Sequence, residues 1–325
     1  MNKQMSLSGL SDELAQVRTK KKEFLAEIDR IVPWGEWIAL IQPCYYKGER
    51  GNKPYDLERM LRIYLVQNLY DLSDMATVAE VIDSRAFSDF CGVESSNQVP
   101  DGDTLGRFRN LLMRNNLQER LFAQVVGLLA QRGLILKKGT IVDSTFIESP
   151  SSTKNKEKKR DPEAHSAKKG NTWHFGYKAH IGVDSESGLV HTVKVTAANV
   201  HDVTVTSDLL TGEEEAVYGD SGYLGADKRP EVPKKNKAGN RIRFKLNRRP
   251  SASKNCSIRS KAQIKRREHE KSSIRAKVEH VFAVVKRQLR FCRTRYRGLR
   301  KQIAKLNMMF ALANLILADR PCLAA

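Results

Sequence analysis

The sequence is short of cysteine, of long apolar runs and, over one long segment, of carboxylates. Its five cysteines, Cys44, Cys91, Cys256, Cys292 and Cys322, are odd in number and scattered, with no Cys-x-x-Cys pair. That pattern argues against a disulfide framework and against a zinc knuckle, and leaves the thiols buried or incidental. No run of about 18 apolar residues occurs, so no segment reads as a membrane span. The opening MNKQMSLSGLSDELAQ carries no apolar signal core, and the expectation is a cytoplasmic protein. No internal repeat is found.

The scarcity of carboxylates is local. Between Lys228 and Lys305 there are 28 Lys and Arg but only 4 Asp and Glu. This excess of 24 is larger than the net +20 of the whole chain, so the remainder is close to neutral. A localised basic field of that size is the electrostatic footprint of nucleic acid. The plainer reading, a disordered basic tail, is opposed by apolar helical spacing through the second half of the segment. One acid kept inside it, Glu279 in RAKVEHVFAVVKRQ (275–288), calls for a reason, because a phosphate-binding face would tolerate Gln there.

What is present is enough for a core. A chain of 325 residues, 40% hydrophobic, has room for two or three structural units. Residues 1–24 are polar and read as a flexible N-terminus. Residues 25–134 read as a helical N-terminal domain for DNA binding, dimerisation or packing alone. In LERMLRIYLVQNLY (57–70), Leu57, Met60, Leu61, Tyr64, Leu65 and Leu69 fall on one broad face. Ser73 or Asp74 starts the next helix, and Asp101 or Asp103 caps another.

At Gly139 the rhythm changes, and residues 135–325 read as a second domain of mixed α/β (α+β) class. GTIVDSTFIES (139–149) is a strand, and the polar stretch 150–171 is a loop. WHFGYKAHIGVD (173–184) and LVHTVKVTAAN (189–199) are strands joined by a hairpin turn at SESG. Asp202 caps a short helix, with His201 and Asp202 simply starting it. AVYGDSGY (216–223) is a strand running into a glycine-flanked turn. The basic insertion at 224–271 is irregular apart from a strand at RIRFKLN (241–247), and two helices, 272–291 and 302–318, close the chain.

Three carboxylates stand out. Asp143 lies in a strand that is apolar on both faces, where an ionised group needs a cation or donors; the plain alternative is a strand-end aspartate half in water. Asp220 emerges at the turn after the fourth strand, or is an ordinary turn aspartate. At about 100° per residue, Arg275, Glu279 and Lys286 fall within roughly 40° of one another, beside an apolar stripe of Ile274, Val278, Val281, Val285 and Leu289. The plain reading of Glu279 is an i,i+4 ion pair with Arg275. Taken together, the three suggest carboxylates converging at one edge of a mixed sheet. Hard oxygen ligands without His or Cys favour Mg²⁺ or Mn²⁺, and two such ions per site are the arrangement that moves phosphodiesters.

The order VDST…YGDSGY…R-x3-E-x6-K resembles the DDE transposases of bacterial insertion sequences, in the insertion-sequence-five family and close to the insertion-sequence-four group. SPSSTKNKE (149–157), WHFGYKAHIGVD and TAANVHD (196–202) share in the resemblance, which runs from about residue 25 to 320. It implies an RNase-H-like catalytic fold, divalent metal, cleavage at terminal inverted repeats and joining of 3′ ends to target DNA. It makes Asp143, Asp220 and Glu279 the metal ligands and catalytic residues, with Arg275 and Lys286 on DNA phosphate. The tyrosine of the family's tyrosine–arginine–glutamate–lysine signature is replaced here by Ser272. Partners so implied are double-stranded DNA and a second copy of the chain or more, in a nucleoid-associated protein.

Lesser candidates for DNA contact are Lys178, His180, Arg287 and Trp173. On the second strand, His174, Gly176, Lys178 and His180 share a face, with Lys178 and His180 read as DNA-facing and a solvated strand face as the alternative. His174 and His180 are roughly 20 Å apart along a strand and cannot share a metal. Trp173 is either core or a platform for a displaced base. The insertion 224–271 fits phosphate binding rather than base reading. The rival readings are an RNase-H-like nuclease without strand transfer and a non-catalytic DNA-binding protein derived from a transposase.

Overall fold

The computed structural model describes residues 17–48, 53–154, 158–249 and 258–319. Expectations falling on residues 1–16 and on Cys256 and Cys322 lie outside the described residues. Cys44, Cys91 and Cys292 are free thiols.

The first part is helical, and local capping explains where the helices begin. Helix α1 (Lys20–Ile31) starts inside the stretch read as flexible, because Thr19 caps it by accepting from the Lys22 amide at 3.2 Å. Helix α2 (Trp34–Ile41) follows Pro33. Helix α3 (Leu57–Leu69) buries nearly every side, including Gln67 and Asn68. Ser73 caps α4 (Asp74–Asp83) through the Ala76 amide, and α5 (Arg85–Cys91) follows. Asp101, not Asp103, caps α6 (Gly102–Arg114), accepting from Thr104 at 2.6 Å. Helix α7 spans Leu117–Gln131.

The second part is a six-stranded mixed sheet: β1 (Gly139–Glu148), β2 (His165–Lys169), β3 (Thr172–Asp184), β4 (Val190–Ala197), β5 (Ala216–Gly219) and β6 (Arg243–Leu246). The order is β2-β3-β1-β5-β6, and β4 pairs with the same edge of β3 further along. The β1–β3 pairing is antiparallel, while β1–β5 and β5–β6 are parallel. The short helix α8 (Thr206–Leu209) lies between β4 and β5.

Two helices close the chain. Helix α9 (Ile258–Ala283) runs into a π-helical turn at Val284–Gln288, and α10 (Leu299–Ala318) ends the described residues. Almost all of α10 is buried, and Asn314 pairs with both the amide and the carbonyl of Val190 on β4 at 2.8 and 2.7 Å. One apolar cluster runs from Leu25 through the sheet residues Ile141, Tyr177 and Ile181 to Leu317, so the helical part and the sheet share a core. A smaller cluster of Val142, Val205, Leu209, Val217, Tyr223 and Ile242 covers the opposite face of the sheet. Among the described residues no helix is long and apolar enough to cross a membrane.

Two expectations are corrected. The loop 150–171 contains strand β2, whose residues are mostly exposed on both faces and therefore show no apolar alternation. The insertion is not irregular to residue 271, because α9 begins at Ile258. Its first turns, KAQIKRREHEK, are strong helix formers without an apolar stripe, and periodicity alone misses them.

Candidate active site

Two of the three carboxylates are brought together by strand register. Val142 on β1 is level with Gly219, the last residue of β5, so Asp143 on β1 and Asp220, just past the end of β5, follow as neighbours close enough for Asp220 to act on the Asp143 carboxylate. Strand β5 stops there while β1 runs on against β3 to Glu148, where it is bridged by Arg293, which leaves a notch in the sheet beside Asp143. Gly219 is closely packed: a Cβ would meet the side chains of Leu246 at 3.0 Å and Val142 at 3.1 Å, which would have to give way. Asp220 then accepts from the Gly222 amide at 2.8 Å, which folds the chain into the turn Ser221–Tyr223.

Asp143 is mostly buried, with its side chain 19% exposed. It accepts from the Ser144 amide at 2.7 Å and from the Arg275 guanidinium at 3.2 Å. Burial pushes its carboxyl above the usual carboxylate range, and Asp220 adds repulsion, against the pull of Arg275 and the Ser144 amide. Arg275 also donates to Asn247 at 3.1 Å. Asn247 in turn reaches Ser272, the residue at the signature's tyrosine position, at 3.3 Å and Glu268 at 2.9 Å.

Glu279 does not stand with the other two. It is exposed on α9, one turn past Arg275, and Arg275 pairs with Asp143 rather than with Glu279. Among the described residues no three His, Cys, Asp or Glu side chains lie close enough to hold an ion. The Asp143–Asp220 pair fits a hard divalent cation in donor type and in charge, since a cation would relieve its mutual repulsion. The guanidinium of Arg275 supplies that positive charge in this arrangement. Arg275 and Glu279 are separated by only about 6 Å along the helix axis.

Residues 135–315 match the family described as the transposase DDE domain, and residues 12–111 match a second family described as a transposase domain. The chain belongs to the DDE transposase family. No solved structure matches it. The sheet and its flanking helices fit the RNase-H-like fold expected of such a domain. A transposase of this kind acts on DNA, and its family works with divalent metal ions.

Around the acids, the transposase presents some of the expected basic residues and buries others. Lys178 and His180 are not DNA-facing. Register sets His180 opposite Ser144 and Lys178 opposite Phe146, on the face of the sheet away from Asp143, where both are buried. Lys178 Nζ donates to Asp202 Oδ1 at 3.0 Å and to the Val200 carbonyl at 2.8 Å. His180 Nε2 meets the Thr196 hydroxyl at 2.8 Å, and burial pulls its pKa down to about 4. Alternation along β3 showed a polar face, but not that Asp202 and its turn would cover it.

The other candidates remain at the surface. Arg287 is exposed and Lys286 half-buried, and they line one groove with Glu279 and His280. Burial lowers the Lys286 pKa, with Lys169 also acting to lower it and Glu148 to raise it. Trp173, at the β2–β3 hairpin, is 68% exposed and so is not core. Next to it His174 stacks on Phe146 with ring centroids 5.0 Å apart. Sequence reasoning missed Asn247, which orients Arg275, and Tyr223, which is buried under the turn. Tyr223 carried a signal as the last residue of YGDSGY, whereas nothing in the sequence singles out Asn247.

Proposed function

We propose that this transposase cuts DNA at the terminal inverted repeats of an insertion sequence and transfers the freed 3′-hydroxyl ends into target DNA. The observation that carries the reading is the juxtaposition of Asp143 and Asp220 at the open notch of the sheet, within a DDE domain. In this reading Asp143, Asp220 and Glu279 are the catalytic carboxylates and would hold Mg²⁺ or Mn²⁺, two ions per site. When bound, the ions activate water or a 3′-hydroxyl and stabilise the leaving oxygen.

The chain's own groups do the rest. Arg275 gives up Asp143 and takes a DNA phosphate, for which a planar, always-charged fork suits it. Lys286 and Arg287 extend the phosphate track along α9, and Trp173 offers a flat exposed ring for an unstacked base. The basic insertion at 224–271 grips the backbone. Residues 25–134 form the DNA-binding or dimerising domain and 135–325 the catalytic one. Joining two ends requires two sites, so at least a dimer works on DNA.

The Arg275–Asp143 ion pair gives some support to a non-catalytic DNA-binding chain, because it neutralises one of the acids. A cleavage assay separates the readings. A labelled duplex carrying the element's terminal repeat and flank is incubated with the protein in Mg²⁺ or EDTA. A Mg²⁺-dependent nick exposing a 3′-hydroxyl at the element's end, lost in Asp143→Asn, Asp220→Asn and Glu279→Gln with DNA affinity retained, is expected. Tight binding without a nick in Mg²⁺ or Mn²⁺ supports the binding protein, and a nick without joining supports a nuclease.

A further inference from the structure

A fourth carboxylate stands behind Asp220. Asp202 opens the 3-10 turn Asp202–Val205. Its Oδ1 is held from the inside by a buried side chain of β3: Lys178 Nζ donates to it at 3.0 Å, while His180 Nδ1 stands near it at 3.7 Å without a hydrogen bond. Lys178 is fixed in turn by the Val200 carbonyl, and the neighbouring His180 by the Thr196 hydroxyl. The other oxygen is aimed elsewhere. Asp202 Oδ2 lies 3.5 Å from the point above Gly222 where a Cβ would stand, and Asp220 Oδ1 lies 2.9 Å from the same point.

Tyr223, the next residue, is 1% exposed, and its buried hydroxyl has no hydrogen-bond partner. Burial holds its pKa well above the ordinary value, the charges of Asp202, Asp143 and Asp220 add to the rise, and the Ser144 side chain acts against it. The Tyr223 hydroxyl thus lies within the field of Asp202, Asp143 and Asp220, with Ser144 as its polar neighbour. Register puts Asp143 on one face of the sheet and Lys178, with the Asp202 it holds, on the other.

We propose that Asp202 is a positioning carboxylate of this active site: held through Oδ1 by Lys178, it turns Oδ2 toward Asp220 and helps draw a divalent cation to the Asp143–Asp220 pair. It acts through charge, not as a direct ligand, since among the described residues no three such groups are close enough to share an ion. Lys178 holds the far oxygen, so the charge nearer to Asp220 is the negative one. The inference rests on the proposed reading of Asp143 and Asp220 as the cation's holders.

The test uses the full chain without DNA and Mn²⁺ alone as the probe, with free Mn²⁺ read by electron paramagnetic resonance. Asp202→Asn is expected to weaken Mn²⁺ binding about tenfold, the factor Coulomb's law gives for a dication about 6 Å from a carboxylate in water-like surroundings. Asp202→Glu restores most of it. If Asp202→Asn melts because Lys178 is left as an unpaired buried charge, the double variant Lys178→Met/Asp202→Leu removes the pair together and carries the test. It is expected to fold and still to bind Mn²⁺ more weakly than the parent. Asp143→Asn and Asp220→Asn run alongside. If they weaken Mn²⁺ binding while the folded Asp202 variants bind like the parent, the role of Asp202 is overturned. If they too leave binding unchanged, the underlying assignment of the pair fails and the inference falls with it.

Discussion

Replacing Arg275 by Met removes the counter-charge of Asp143 while keeping an unbranched apolar stem on the helix. The guanidinium lies 3.2 Å from the carboxylate, with the two side chains 21% and 19% exposed. At that separation and an effective dielectric of about 20, the gross attraction is about 5 kcal/mol, much of it offset by the desolvation of both ions. A surface pair contributes under about 1 kcal/mol, and breaking a fully buried one costs about 3–5 kcal/mol. This pair lies between those limits, so Arg275→Met is expected to lose about 1–3 kcal/mol in urea melts run in EDTA. The size of the loss should change with metal. Mn²⁺ supplies the missing positive charge between Asp143 and Asp220, so the deficit shrinks, and the variant binds Mn²⁺ more tightly than the parent because no guanidinium competes. A variant as stable as the parent in EDTA, or one whose deficit is untouched by Mn²⁺, refutes this account of charge balance.

Three other expectations follow from single sites. Gly176 has φ +153°, and a Cβ there would meet the Ile147 carbonyl at 2.1 Å, so Gly176→Ala should cost about 3 kcal/mol or more in a denaturant melt. A shift of less than about 1 kcal/mol contradicts that packing. His191 is buried against Thr140, and burial pulls its pKa down to about 4. Its unfolded form takes a proton near pH 6.5 and its folded form does not, so stability falls as pH drops from about 6.5 to 4, by on the order of 3 kcal/mol. His191→Gln should flatten that part of the stability–pH curve, and an unchanged slope rules the residue out. Finally, Lys286→Ala and Arg287→Ala should each weaken DNA binding and lower its salt dependence, whereas the buried Lys178, changed to Met, should leave that dependence alone. The reverse pattern restores the DNA-facing reading of β3.

What the sequence made legible were features written in local periodicity and turn chemistry. Strands β1, β3, β4 and β5, the caps at Ser73 and Asp101, and the last helix all carry such signals. The acids Asp143 and Asp220 were legible because strand pattern and glycine punctuation bracket each of them. Strand β2 was not, because a strand exposed on both faces has no alternation to read. The start of α9 was missed for the same reason, since charged helix formers leave no apolar stripe. The contacts of Lys178 and His180 depend on which segment covers the polar face of β3, and that is a tertiary fact set by Asp202, 24 and 22 residues away. Arg275 was placed correctly beside Glu279 on one helix face, but helical geometry alone could not show that its partner is Asp143.

The central claim is that Asp143, Asp220 and Glu279 converge on the same metal ions when the transposase works. Iron-directed cleavage tests it most directly: Fe²⁺ replaces Mg²⁺ in the protein–DNA complex, and the hydroxyl radicals it generates with ascorbate and peroxide cut the polypeptide nearby. Cuts are expected around residues 143, 220 and 279 together, suppressed by excess Mg²⁺. Cuts at 143 and 220 without 279, or none that Mg²⁺ suppresses, would contradict the claim and leave Glu279 a solvent-exposed acid on a DNA-binding helix.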